Sequence, residues 1–231
     1  PATSFVERQR MFDLPRSAWT DYDTSIMSEG GGIFSRSAKS IAISPQMKER
    51  FDIKADKLTP TELLNALLKA PVDLLWNGGI GTYVKSSQES HADVGDKAND
   101  ALRVNGCELR AKVVGEGGNL GMTQLGRVEY NLNGGAGNTD FIDNAGGVDC
   151  SDHEVNIKIL LNEIVASGDM TGKQRNKLLA EMTDAVGSLV LGNNYKQTQA
   201  LSLAQRRARE RIAEYKRLMA ALEADGKLDR A

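Results

Sequence analysis

Three times along this chain a short apolar run discharges into a turn of glycine and asparagine. VDLLW (72–76) runs into NGGIG, AKVV (111–114) into GEGGN, and TDFID (139–143) into NAGG. Runs this short suit buried strands better than helices, which need ten residues or more. Helical stretches fall between or after them, so the rhythm is that of parallel strands joined by crossovers, with their loops gathered along one edge. Ligands of open α/β sheets bind beside the carboxyl ends of the strands. The three glycine turns are therefore expected to line one crevice.

The helix signals fill in the rest. Thr59 is expected as an N-cap, with Pro60 at the first helical position, Glu62 three residues on, and Leu63, Leu64, Leu67 and Leu68 on the buried face before Pro71. Residues 88–105 read as helical by composition, ending at Gly106. Residues 1–29 are weakly patterned, with a turn around Pro15. From Ser151 the pattern becomes helical and stays so. Ser151 to Glu154 reads as a capping box, a second helix spans Thr171 to Leu191 and stops at Gly192-Asn193-Asn194, and a last one spans 196–223. The expected organisation is an α/β part, 1–150, built on a parallel sheet, followed by a C-terminal helical segment, 151–231.

Composition excludes several classes. With 29 basic and 31 acidic side chains the net charge is −2, which offers no footprint for nucleic acid or an anionic membrane. No apolar run approaches the length of a spanning helix. The two cysteines, Cys107 and Cys150, show no CxxC spacing, and a reduced cytoplasmic setting is the simplest reading. The chain begins at Pro1 rather than Met, so a segment of a longer protein is expected. The triple glycine Gly30-Gly31-Gly32, with Ser35, Arg36 and Ser37 behind it, reads either as a flexible loop or as a backbone nest for an anion.

The stretch FIDNAGGVDCSDHE (141–154) concentrates Asp143, Asp149, Cys150, Asp152, His153 and Glu154. Zinc needs several converging Cys and His ligands, and the other candidates, His91 and Cys107, are remote in sequence. The carboxylates do not follow a calcium-loop spacing. No metal is expected. Acidic residues in a first helical turn are explained by the helix dipole. Asn144 and the Ser151 hydroxyl, among open backbone donors, are left as the functional candidates.

GEGGN (115–119) and NAGGVDCSDHE (144–154), in this order, resemble two signature segments of amino-acid dehydrogenases of the glutamate dehydrogenase superfamily. VDLLWNGGIGTYVK (72–85), AKVVGEGGNLGMTQLGRVEY (111–130), DCSDHEVNIKILLN (149–162), GGGIFSRSAKS (30–40) and LMAALEADGKLDR (218–230) look like the large NAD-specific bacterial subgroup. Ala136-Gly137 stands where that subgroup usually carries bulkier residues.

The resemblance implies a cytoplasmic enzyme, oligomeric in its full-length form, that oxidises L-glutamate to 2-oxoglutarate and ammonia with NAD. On that resemblance, residues 1–150 are the second part of a Rossmann-like NAD-binding domain, built on a partial Rossmann-like parallel sheet. It implies that Asn119 contacts the nicotinamide ribose region, that Asn144 holds the nicotinamide carboxamide, and that Ser151 helps bind the substrate carboxylate. Asn77, Gly78 and Gly79 match the strand-end loop under the cofactor, and glycines such as Gly118 let the backbone come close. The family's catalytic groups have no counterpart here, so no catalytic residue is assigned and the substrate domain is expected upstream of Pro1. Lys85 and Lys112 are not catalytic candidates. The 231 residues alone are expected to be inactive, and a non-catalytic nucleotide- or anion-binding or assembly module is the alternative.

Overall fold

The structure, a computed structural model, describes residues 2–229; Pro1 and the final Arg230 and Ala231, where the LMAALEADGKLDR motif ends, lie outside the described residues. The chain is mixed α/β and divides into two compact units, Pro1–Asp140 and Phe141–Ala231.

The first unit opens with α1 (Ala2–Asp13), followed by 3-10 turns at Trp19–Asp21 and Thr24–Ile26. Then come β1 (Ile41–Ala42), α2 (Pro45–Phe51), β2 (Lys57–Leu58), α3 (Pro60–Leu68), β3 (Leu74–Asn77), β4 (Val84–Lys85), α4 (His91–Val94), β5 (Val104–Asn105), β6 (Val113–Glu116) and α5 (Gln124–Leu132). Strands pair in twos: β1 with β2 antiparallel, β3 with β6 parallel, and β4 with β5 parallel. Val84 also bridges Met122, and Val113 bridges Ala136.

Local chemistry sets α3. Thr59 Oγ1 accepts from Glu62 N at 3.3 Å while the Glu62 carboxylate accepts from Thr59 N at 2.8 Å. Such a cap stabilises a helix by about 1 kcal/mol. The helix then serves two cores. Leu63 and Leu67 pack with Ile41, Ile43 and Ile53, whereas Leu68 packs on the cluster of Val84, Val104, Val114, Met122 and Tyr130. Tyr130 is 1% exposed, and its hydroxyl donates to Ala111 O at 3.0 Å, so its polar end is satisfied inside the core. Lys112 is an exposed surface residue paired with Asp73 at 2.7 Å.

The second unit is helical. After α6 (Asp140–Asp143), which begins at the boundary, come α7 (Val148–Ala166), α8 (Gly172–Glu181), α9 (Thr183–Arg207) and α10 (Ile212–Ala224).

Several expectations from the sequence are corrected. Phe141 and Ile142 sit in the helical turn α6 rather than in a third strand. The place beside β6 is taken by Ala136, whose carbonyl accepts from Val114 N at 2.9 Å and whose N–H donates to Lys112 O at 3.0 Å. Residues 88–105 are not one helix. The Ser90 cap starts only α4, Gly95 turns left-handed at φ 73°, and the following chain is tied down by Arg103. Helix α7 begins at Val148, so Ser151 lies inside it and is not the cap. Gly147 adopts helical angles, and the Asn144 carbonyl accepts from Gly147 N and Val148 N, each at 3.1 Å.

The helical boundaries after residue 171 also differ. The chain breaks at Met182 rather than at Gly192-Asn193-Asn194. The side-chain amides of both asparagines find acceptors within the second unit, the Asp149 carboxylate for one and the backbone carbonyl of Ile142 for the other, and the helix runs on through them. It breaks again after Arg207, inside the run that carries Arg206, Arg207, Arg209 and Arg211, where like charges crowd successive turns. Helices α1, α2 and α5 and the β1–β2 pair were not read from the sequence.

Candidate functional site

The paired strands β3 and β6 are in register Asn77 to Glu116, so their turns leave the sheet at the same level. Gly117 N donates to Asn77 O at 2.7 Å. The turns then touch: a Cβ added at Gly118 would stand 2.1 Å from Gly79 O, a separation only glycine allows. At Gly79 the opposite holds, since an added Cβ meets nothing within 4 Å. The double turn thus has a closed seam and an open side.

The chain beyond each turn reinforces the seam. Tyr83 N and Val84 N donate to Gly121 O at 2.9 and 3.2 Å, and Thr82 Oγ1 donates to Leu120 O at 2.6 Å. Thr82 N donates to Asp96 Oδ2 at 2.8 Å. That hydrogen bond, followed by one from Asn99, holds the Asp96 carboxyl below its usual range. Arg103, with its side chain wholly buried, gives Nε to Thr82 O at 2.8 Å and Nη1 to Asp100 at 2.6 Å. The end of the NGGIGT turn at Thr82 is therefore tied to a buried cation.

A cavity of about 470 Å³ opens at these turns. Its walls combine Leu63, Leu67, Leu75, Val114 and Met122 with Asn77, Gly78, Gly79 and Glu116, and Phe34 and Arg36 also line it. Apolar walls with a few fixed polar groups are the usual form of a small-molecule site. The indole of Trp76 lies over Gly115 and Gly117, occupying the room their side chains would take.

Of the sequence candidates, the structure brings Asn77, Gly78, Gly79, Gly118 and Asn119 together in the first unit. Asn77 is half-buried with its Oδ1 3.4 Å from Gly79 N, while Asn119 is exposed at the tip of the second turn. Asn144 and Ser151 belong to the second unit. Asn144 Oδ1 accepts from Gly147 N at 3.0 Å, which fixes the amide against the turn, and Ser151 is exposed on α7. The neighbouring Asp149 and His153 face Asn193 of α9, at 3.1 and 3.4 Å from its Nδ2. Among the described residues no group of three or more His, Cys, Asp or Glu side chains is placed to hold a metal ion.

Glu116, Arg127 and Asp140 form a buried charged cluster that the sequence reading does not anticipate. Arg127 Nη1 binds the Glu116 carboxylate and donates to Asn138 O at 2.6 Å, and Nη2 lies 3.8 Å from Asp140. A signal existed: Glu116 closes an apolar strand, and a carboxylate there needs a buried partner. Arg127 sits three residues before Tyr130, on the same helical face.

The family model described as bacterial NAD-glutamate dehydrogenase, catalytic domain, matches residues 1–204. The NAD-specific glutamate dehydrogenase of Pseudomonas aeruginosa is 83% identical over 230 residues, covering 100% of this chain and 14% of that protein. Its counterpart from Halomonas elongata is 65% identical over 229 residues, 99% of this chain and 14% of that protein. The Mycobacterium tuberculosis protein of the same name is 54% identical over 213 residues, 90% of this chain and 13% of that protein. The chain thus spans about one seventh of the length of the curated relatives it matches.

Proposed function

The chain belongs to the bacterial NAD-glutamate dehydrogenase family, and from that premise we propose that it forms the nicotinamide-side surface of an enzyme oxidising L-glutamate to 2-oxoglutarate and ammonia. The observation that carries this reading is the locked pair of turns after β3 and β6, which sets Asn77 and the bare backbone of Gly78 and Gly79 at a cavity, with Asn119 exposed on the adjoining turn. The residues fit a dinucleotide because the side of Gly79 away from the seam is open, so a flat ring or a ribose reaches the backbone without meeting a Cβ.

In this proposal Asn119 contacts the nicotinamide ribose region, Asn144 holds the carboxamide, and Ser151 donates to the substrate carboxylate. Asn77, Gly78, Gly79 and Gly118 make the floor. NAD, when bound, supplies the ring carbon that takes up the hydride. The chain's own part is orientation: hydride transfer needs reacting atoms held within about 3–3.5 Å, and fixed turns provide that without ordering cost at the moment of reaction. The acid/base and substrate-clamping groups come from the remainder of the full-length protein. We place that protein in the cytoplasm as a homo-oligomer. Exposed apolar residues on the C-terminal helices, such as Leu160, Leu191 and Ile212, support a partner surface. Among the described residues no helix is long and apolar enough to cross a membrane.

The test is NADH fluorescence titration and glutamate turnover in the full-length protein. Asn144→Ala and Asn119→Ala are each expected to weaken cofactor binding by roughly 10-fold, about 1.4 kcal/mol, as loss of one such hydrogen-bonding group does. Unchanged NADH binding in both variants overturns the assignment.

A further inference from the structure

The backbone beside Asn119 adopts a conformation that its own residue does not favour. Leu120 has φ 54°, the left-handed region that non-glycine residues rarely enter. Such a residue persists only where its surroundings over-determine it, and it is a pointer to function when observed. Here both sides are fixed. Leu120 N donates to Asp140 Oδ2 at 2.9 Å, and Leu120 O accepts from Thr82 Oγ1 at 2.6 Å.

The Asp140 carboxylate, 10% exposed, is itself held. Arg127 Nη2 lies 3.8 Å from it, and the same guanidinium binds Glu116, the strand residue three positions before Asn119, and the carbonyl of Asn138. One buried cation therefore spans the entry to the turn, at Glu116, and its exit, through Asp140 to Leu120. A buried ion cluster is a poor source of net stability, because the same volume filled with apolar side chains is often as stable. What a planar, forked guanidinium adds is reach in two directions: Nη1 makes the hydrogen bonds to Glu116 and Asn138 O, while Nη2 faces Asp140 as an ion pair.

We propose that Arg127 is the positioning residue of the Asn119 turn, holding Asp140 and Glu116 so that the strained Leu120 backbone keeps Asn119 presented to the dinucleotide. The proposal rests on the reading that Asn119 contacts the cofactor. Arg127 touches no reacting atom; it acts through Asp140 and Leu120. Because the turn is needed for binding as much as for reaction, its loosening raises KM for NAD more than it lowers kcat.

The experiment uses the full-length protein with two variants, Arg127→Lys and Thr82→Val. The first keeps the charge but not the fork, and the second removes only the hydroxyl at Leu120 O and leaves every buried charge in place. Hydrogen exchange of residues 117–121 and steady-state kinetics in NAD are measured together. Both variants are expected to lose exchange protection at 117–121 while β3 and α3 keep theirs. KM for NAD rises roughly 10-fold for Arg127→Lys and roughly 3-fold for Thr82→Val, with kcat within about 3-fold of the parent. If Arg127→Lys melts earlier yet leaves exchange at 117–121 and KM for NAD unchanged, the residue is only structural and the proposal falls. A parent protein that does not turn over glutamate with NAD would sink the enzyme reading instead. Exchange at 117–121 would still decide the positioning role.

Discussion

Arg127 of α5 sets its Nη1 against the carboxylate of Glu116, the last residue of β6, with the two side chains only 6% and 1% exposed. Asp140 completes the cluster, so one guanidinium serves two carboxylates where water scarcely reaches. That imbalance makes the arginine far more costly to lose than a surface partner.

Replacing Arg127 by Met leaves two buried carboxylates without their cation. Unfolding free energy of the first unit is expected to fall by about 3–5 kcal/mol, the usual cost of breaking a buried pair by removing one partner. Both tryptophans, Trp19 and Trp76, lie in the first unit, so tryptophan fluorescence in a urea titration reads that unit alone. A midpoint within error of the parent would mean that the cluster is solvated.

Gly118 and Gly79 face one another yet should respond differently to alanine. At Gly118 the new Cβ would stand 2.1 Å from Gly79 O, so the seam must open. Gly118→Ala is expected to lower stability by about 1–3 kcal/mol, as overpacking does, and to weaken NADH binding with it. Gly79→Ala meets nothing within 4 Å and should fold as well as the parent. Any loss of NADH affinity in Gly79→Ala then reports the ligand itself, and full affinity would show that the dinucleotide does not pass on that side.

The two turns were legible because each is a local pattern: an apolar run supplies the strand, and glycine and asparagine supply the bend. The α3 cap was legible for the same reason, since Thr59, Pro60 and Glu62 lie within one turn. What failed depended on distant partners. TDFID has the composition of a strand end, but Phe141 and Ile142 form a helical turn, and the place beside β6 goes to Ala136, which no local rule selects. Gly192-Asn193-Asn194 reads as a stop, yet helix α9 passes through because Asp149 and Ile142 O receive the two amides. The Glu116–Arg127–Asp140 cluster joins three segments, so sequence periodicity shows each member and not their meeting.

Glu7 gives a pH dependence of known sign. Its carboxylate accepts from Arg10 at 2.7 and 2.8 Å and from Asp23 N at 2.7 Å, and the Arg10 bonds, foremost, lower its pKa from 4.5 to about 2. A depressed folded pKa means that the contribution is whole above about pH 4.5 and is lost as pH falls toward 2. Glu7→Gln should therefore be less stable than the parent at neutral pH, with the two denaturation curves converging between pH 4.5 and 2. A difference that stays constant across that window would show that Glu7 contributes through packing rather than charge.

Asn193 poses a contest between helix propensity and a tertiary contact. It sits in the interior of α9, where alanine is the better helix former by at most about 0.7 kcal/mol. Its amide, however, donates to Asp149 Oδ2 at 3.1 Å and lies 3.4 Å from His153 Nε2, both on α7. Hydrogen bonds to a charged group contribute about 1.5–3 kcal/mol, and the partial exposure of Asp149 favours the lower end. The contact should win, so Asn193→Ala is expected to destabilise the helical unit by about 1 kcal/mol in a denaturant melt followed by circular dichroism. Asn193→Asp, which sets a carboxylate against Asp149, should lose more. An alanine variant as stable as the parent or more so would mean that propensity decides, and that the α7–α9 clasp is decoration on a helix that would form without it.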